Sequence, residues 1–555
     1  MKQERNDVNA ADLVVYGKIY TSKSTGDYAE AFAVKDGKYV YVGDEAGAAK
    51  YIESGVTEVI DRRGVGLIVS GGTEGHGHYI VASELAVMDA LVGGGTPEEI
   101  IANMKAHVKA NPDKKAYFVQ GWETGGAMLE TKFTYNMRAA LDAICSDKVL
   151  IMMDNVGHNA FMNTKAFEAA GYTKDTVLEG GSFAKDANGD FLGLVSDIAV
   201  NYAMEHVIAK NSVISIDEVR KAVKLTEDNL HACGFTNYFD AYTNFLGADT
   251  FAGIQKEDET DGLTVNIIGS YKIDSYADID KSVATAEEYM HKFSSKHFKP
   301  DNVKLFADGG AVEVKTGWML EPYRDGSHGN RVWSTELMDE IVKKSNEKGL
   351  SVHVHTSGDG GTTQTVEAFV KAAPTAAKGV LNGIAHARHI TEHIKDEMAK
   401  YHVYSATNVN WRYTVAGTEQ AISEQLMDFE LYKHGYPMKT LLNKGIVMTS
   451  ATDFPATDGA PYDMCGIIEI GVNGTLAGKD CVRMAEEDYL TVEEMLDVFT
   501  INGAKQFSFA DERGSVEVGK YADFIFIDKD ITTCPKNEIH TGKVDTVYFE
   551  GKKVL

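Results

Sequence analysis

Two imidazoles one residue apart stand at His76-Gly77-His78, at the end of the run LIVSGGTEGHGH. On an extended chain, residues two apart point to the same face, so both rings can reach one metal ion. The pattern is weak by itself. With 17 histidines in the chain, chance supplies roughly 0.5 such triplets, and a second one, His353-Val354-His355, is present. The wider constellation carries more weight. His355 ends one apolar run, His386 ends the next, and Asp453 ends the last. Four imidazoles and a carboxylate on separate strand ends form a nitrogen and oxygen donor set suited to zinc or a similar divalent ion. Any one of these residues reads equally well as a core histidine or a turn aspartate. Five in this order point to a site.

The elements that must position these residues alternate strand and helix. Buried-strand runs are FTNYFDA (235–241), VNIIGSY (265–271), VKLFADG (303–309), SVHVH (351–355), GIAHA (383–387), VYSATN (403–408) and IVMTSATD (446–453). Helical runs lie between several of them, such as STELMDEIVKKSNEKG (334–349) and TEHIKDEMAKYH (391–402). With the run before His76 the strands number eight, as in a (β/α)8 TIM-like barrel, whose catalytic residues sit at the C-terminal strand ends. A well-marked helix starts at Ser215, where Glu218 completes a capping box, and runs to His231. The interval from about 80 to 215 is too long for one crossover and predicts an inserted α/β subdomain. One of its helices opens at Thr96-Pro97-Glu98-Glu99. Both chain ends have strand texture, with hairpin signals at Asp36-Gly37 and Glu550-Gly551. This predicts one composite β-sandwich from residues 1–68 and 505–555, with the barrel over 69–504.

Composition bounds the function. The 555 residues suggest two to four domains at about 150 residues each. Hydrophobic residues at 44% and charged residues at 25% are ordinary for a globular enzyme. Acidic residues outnumber basic ones 82 to 55, a net charge of −27 that repels phosphate backbones and argues against a nucleic-acid partner. No apolar run reaches the roughly 18 residues of a membrane helix, and the start MKQERNDVNAADL lacks an apolar signal core. Five widely spaced cysteines without a CxxC fit a reducing compartment and provide no sulfur metal site. The expected setting is cytoplasmic and the expected partner a small-molecule substrate. A homo-oligomer stays open.

Motif by motif the sequence resembles the amidohydrolase superfamily, and within it the YtcJ-like branch that includes N-substituted formamide deformylase. The resemblance runs through ADLVVYGKIYTS and VKDGKYVYVG, the barrel entrance SGGTEGHGH, and GWE, GHNAFMNTKAFEAAG and GLVSD in the insert. It continues through VKLFADGG, HVHTSGDGG, IAHARH, TSATDFPATDGAPYDM and TINGAKQFSFADERGSVEVGKYADFIFID. It implies that His76, His78, His355 and His386 hold one or two divalent ions, with zinc expected. It implies that Asp453 touches the metal and shuttles the proton, and that Lys304 matches a position where a carboxylated lysine could bridge two metals. A buried lysine paired with Asp308 or Glu313 is the plainer reading of Lys304. Trp122, Glu123 and His158 would face the pocket from the insert and contact substrate, or else serve ordinary insert packing. In His353-Val354-His355 the family pattern places the ligand at His355 only.

Two departures stand out. The family entrance usually reads Pro-Gly-Phe-x-Asp-x-His-x-His, whereas here it is Ser70-Gly71-Gly72-Thr73-Glu74-Gly75-His76-Gly77-His78, and Ala385 replaces a common glutamate. Glycine weakens a strand, so a looser or shifted first barrel strand is expected. The implied activity is hydrolysis of a non-peptide C–N bond in an amide, N-formyl, N-acyl or cyclic amide group. The alternatives are an ester, lactone or imine substrate or an isomerisation at the same site, and a non-catalytic binding or regulatory relative.

Overall fold

Leu13–Tyr20 (β1), Tyr28–Lys35 (β2) and Lys38–Gly43 (β3) form an antiparallel meander. The structure, a computed structural model, describes residues 10–123, 134–155, 157, 159–178, 181–456 and 459–555. Asp36 and Gly37 join β2 to β3 with φ of 50° and 76°, the two left-handed positions of a tight hairpin turn. Glu58–Asp61 (β4) and Leu67–Ser70 (β5) both run parallel to β1. The first pairs with Leu13–Tyr16 and the second with Ile19. The switch falls where β1 loses register, between Tyr16 and Ile19, so this bulged strand serves two layers.

The barrel follows. Its strands are Gly72–Gly77 (β6), Phe235–Asp240 (β7), Asn266–Lys272 (β8), Phe298–Phe306 (β9), Ser351–Thr356 (β10), Gly383–His386 (β11), Tyr404–Thr407 (β12) and Met448–Ser450 (β13). Each pairs parallel with the next. Helices Thr335–Glu347, Asp359–Ala372 and Glu392–Lys400 fill successive crossovers, the arrangement of a (β/α)8 barrel. Among the described residues β13 and β6 share no ladder. Their seam is closed just beyond the strand ends, where Asp453 N donates to His76 O at 2.9 Å and His78 N donates to Phe454 O at 2.8 Å.

The chain then returns to its beginning. Phe524–Ile527 (β14) pairs antiparallel with β5, and Val544–Phe549 (β15) and Lys552–Lys553 (β16) extend the sheet. The resulting β-sandwich buries Leu13, Val15, Phe32, Phe524, Phe526 and Tyr548, with the Phe524 and Tyr548 rings stacked at 4.4 Å. The two hairpin tips meet: a Cβ on Gly37 would lie 2.8 Å from Glu550 O, so glycine is needed for the approach as well as for the turn. Arg513 is buried beneath them and donates to both Asp523 and Glu550.

A second compact unit spans Tyr79–Thr226 together with Tyr242–Asp261. It therefore takes in the helix Ala248–Thr260, which follows β7. Its six-stranded sheet runs in the order Gly181–Lys185, Phe191–Asp197, Asn159–Met162, Val149–Asp154, Ala116–Trp122, Leu91–Gly94. Thr96 caps the helix Pro97–Ala110 by accepting from Glu99 N at 3.2 Å. The capping box at Ser215 forms, with Ser215 N donating to the Glu218 carboxylate and Glu218 N to Ser215 Oγ. Among the described residues no helix is long and apolar enough to cross a membrane.

Candidate metal centre

The first barrel strand is tight. All six residues of β6 are buried, and its glycines stand where a side chain has no room. A Cβ on Gly72 would lie 2.9 Å from Gly234 O, and one on Gly75 would lie 2.6 Å from Thr449 Oγ1. The expected loosening is absent, because close approach to the neighbours, not flexibility, requires these glycines. The expected shift is present: the β7–β6 register slips between Phe235 and Asn237 and again between Tyr238 and Asp240. Glu74 uses its reach to accept from His76 N at 3.1 Å and from Thr452 N at 2.9 Å. It thereby ties the strand bearing the histidine pair to the residue before Asp453.

The strand ends bring the predicted donors together. Among the described residues, donor atoms of His76, His386 and Asp453 all lie within 4.8 Å of one another. Asp453 Oδ1 is 3.3 Å from His76 Nε2 and 3.2 Å from His78 Nε2. The His355 ring packs against His386 with centroids 4.4 Å apart. Its Nε2 faces Gly309 O at 3.2 Å, which leaves Nδ1 as its second donor atom. Lys304 Nζ lies 3.4 Å from His76 Nε2. His386, Ala387 and Asp453 have φ of 68°, 51° and 56°, left-handed values that cost energy in residues other than glycine and gather at functional sites.

Burial sets the protonation of the cluster. It pushes His76 and His386 well below the ordinary imidazole range and His355 down to about 4, so these rings are neutral and keep a lone pair for a cation. Burial works against ionised Asp453, but the hydrogen bond with His78 and the influence of the neighbouring His386, His78 and Lys304 outweigh it and hold the carboxyl below its usual value. Further partners fix ring orientation. His76 Nδ1 lies 2.7 Å from His353 Nε2, and His386 Nδ1 lies 2.7 Å from Asn408 Oδ1. In both rings this directs Nε2 toward the site, the usual division of labour in a metal-ligating histidine. Neutral imidazoles beside an ionised carboxylate fit a divalent cation.

Lys304 is fully buried. Burial pushes its amine down to about 7, and it makes no ion pair among the described residues. Pairing with Asp308 or Glu313 is not what the structure has. Asp308 accepts from the backbone N–H groups of Trp318, Ser357 and Gly358, and Glu313 binds Arg388 and Tyr432. In the second unit, Trp122 is 0% exposed. Its ring stacks on Phe161 at 4.4 Å and its Nε1–H donates to Met152 O. The indole is thus a core residue of that sheet and offers no surface to a ligand, which corrects the substrate contact expected of it. Glu123 is exposed, with its N–H donating to Gly94 O. His158 lies outside the described residues. Two contributors had no motif to flag them, Asn408 and Trp411, whose ring lies parallel to His386 at 5.5 Å, and His353 stood in a motif that gave it no role.

Residues 58–555 match the family model described as the amidohydrolase family. The putative amidohydrolase YtcJ of Bacillus subtilis is 23% identical over 541 residues, covering 97% of this chain and 98% of that protein. The N-substituted formamide deformylase of Arthrobacter pascens is 21% identical over 554 residues, covering 97% of each. Among solved structures, a metal-dependent hydrolase of Pyrococcus horikoshii superposes with a TM-score of 0.71 at 20% identity, covering 94% of this chain and 99% of that one.

Proposed function

The chain belongs to the amidohydrolase family, and from that premise we propose that it is a metal-dependent hydrolase of a non-peptide C–N bond in a small molecule. The observation that carries the reading is the convergence of His76, His386 and Asp453 within 4.8 Å, at the strand ends where barrel enzymes keep their chemistry. His76, His78, His355, His386 and Asp453 are the proposed ligands, and zinc is the proposed ion for such a donor set. A divalent ion held by these residues would supply activation of water near neutral pH and polarisation of the carbonyl to be attacked.

The protein's own contribution is the handling of protons. Asp453, whose carboxyl is held below its usual value, would accept a proton from the attacking water and return it to the leaving nitrogen. A leaving nitrogen must be protonated as its bond to carbon breaks, so one carboxylate can serve both halves of the reaction. Lys304 has a second role in this reading. An amine with its pKa near 7 is about half unprotonated at neutral pH, and that fraction can add carbon dioxide, losing a proton to become a carbamate with two oxygens. That group would hold a second ion, which an ammonium with three donors and no lone pair cannot do. The relative named N-substituted formamide deformylase favours an N-formyl amine within the proposed class of N-formyl, N-acyl and cyclic amides.

The test is metal analysis of the purified protein followed by a panel of N-formyl amines, N-acyl amines, cyclic amides and esters, before and after chelation and reloading. C–N cleavage that disappears with the chelator and returns with zinc is the expected result. Protein that binds no divalent ion, or metal-loaded protein inert on the whole panel, refutes the reading.

A further inference from the structure

Below the metal centre, inside the barrel, lies a column of hydrogen-bonded groups that hydrolysis itself does not use. His353 sits on β10 two residues before His355, with 0% of its surface exposed. Its Nε2 is 2.7 Å from His76 Nδ1 and its Nδ1 is 2.7 Å from Tyr404 Oη at the start of β12. Phe239 of β7 covers the imidazole, with centroids 4.3 Å apart, and Tyr404 is 1% exposed. The neighbouring strand makes room for the tyrosine: a Cβ on Gly383 would lie 2.2 Å from the Tyr404 ring. A histidine, a tyrosine and a glycine on three adjacent strands thus build one arrangement.

Proton arithmetic gives the column a direction. His76 turns Nε2 toward Asp453 and can offer a lone pair there only if its proton is on Nδ1. That proton must then be donated to His353 Nε2, which must be an acceptor. A neutral His353 accepting at Nε2 carries its own proton on Nδ1 and donates it to Tyr404 Oη. Reversing either bond would put a proton on His76 Nε2 and block it as a ligand. We propose that His353 and Tyr404 are positioning residues that hold His76 in the Nδ1–H tautomer and so set the affinity of the metal centre. The proposal rests on the metal-centre reading above.

The experiment measures metal binding, not turnover. Wild type, His353→Ala, His353→Gln and Tyr404→Phe are stripped of metal. Zinc affinity is then read by competition with a chromophoric chelator, and ligand geometry from the visible spectrum of the cobalt-loaded protein. Loss of a partner of this kind weakens metal binding by about 10- to 100-fold, the change expected for His353→Ala together with an altered cobalt spectrum. His353→Gln keeps an acceptor oxygen for the His76 Nδ1–H and should recover most of the affinity. Tyr404→Phe removes one hydrogen bond from the far end and should lose about 2- to 10-fold. Folded His353→Ala protein with wild-type affinity and spectrum overturns the column and leaves the metal centre standing. If His353→Ala does not fold, wild-type binding by Tyr404→Phe overturns it instead. Wild-type protein that takes up no zinc overturns the metal-centre reading and the column with it.

Discussion

Replacing Lys304 by methionine should stabilise the metal-free protein at neutral pH. The amine is fully buried, and among the described residues its one hydrogen-bond partner is His76 Nε2 at 3.4 Å. Burial depresses its pKa from 10.5 to about 7, against the partial relief of Asp453. Below pH 7 the lysine is protonated in both folded and unfolded chains, and the folded state bears the whole cost of the buried charge. Between pH 7 and 10.5 the unfolded chain binds more protons than the folded one, so stability rises with pH, and above 10.5 the cost is gone. A depression of that size corresponds to about 5 kcal/mol at pH 7 and below. Methionine keeps the apolar stem beside Phe306, whose ring lies 4.8 Å from Nζ, and removes the charge. The assay is thermal unfolding of chelator-treated protein in carbonate-free buffer at pH 6 and pH 10, with the wild type and the variant compared at each pH so that other titrations cancel. The variant should unfold several degrees higher at pH 6, less than the roughly 2–4 °C per kcal/mol of a smaller domain implies for a chain of this size. The gap should close at pH 10. A gap of equal size at both pH values, or a wild type that is the more stable at pH 6, refutes the account of Lys304 as an uncompensated buried amine.

His386→Ala should remove metal and activity together, read by metal content and by turnover of whichever panel substrate is cleaved. Full metal content in that variant means His386 is not a ligand. Asp308→Ala leaves the N–H groups of Trp318, Ser357 and Gly358 without their acceptor, a loss of roughly 2–5 kcal/mol; an unchanged melting temperature would contradict it. Arg513→Ala strands the buried Asp523 carboxylate at a cost of about 3–5 kcal/mol, checked by the same melting curve. Burial opposes ionised Glu550, but bonds from His297, Lys296 and Arg513 hold it well below the ordinary carboxylate range. Its contribution is therefore present above the usual glutamate pKa and lost as pH falls, so Glu550→Gln should flatten the acid limb of the stability profile.

The barrel was legible because its strands are apolar runs ending in polar residues that can do chemistry. Runs at 235–241, 351–355 and 383–387 correspond to β7, β10 and β11 within a residue or so. β9 was read from Val303 but begins at Phe298, because Lys299, Pro300, Asp301 and Asn302 mask its first half with polar groups and a proline. The column was harder to see. His353 and His355 share a strand face, so spacing alone suggests equivalent roles. Yet residues two apart on a strand lie about 7 Å apart along it, which sets one at the site and the other a layer beneath it. Asn408 and Trp411 follow β12 in a single turn of 3-10 helix, where no period distinguishes a site residue from a loop residue. Trp122 misled in the opposite way. Its local motif matched a family pattern, but Ala116–Trp122 is a core strand of its sheet, and burial claimed the indole.

The seam of the barrel joins two stretches that are 378 residues apart in the chain at Glu74 and Thr452. With no ladder between β13 and β6 among the described residues, the ring is fastened there by the backbone of His76, His78 and Thr452 to Phe454, the same short segments whose side chains would grip an ion. The proposed catalytic apparatus and the architectural clasp would therefore be one object. An ion bound across them would tighten the hoop, and stripping it should be felt first as breathing along this edge, visible as faster amide exchange at Asp453 and His78 than in the laddered strands opposite. The hoop is fastened through backbone groups, so its ligand side chains could be exchanged while these bonds stay in place.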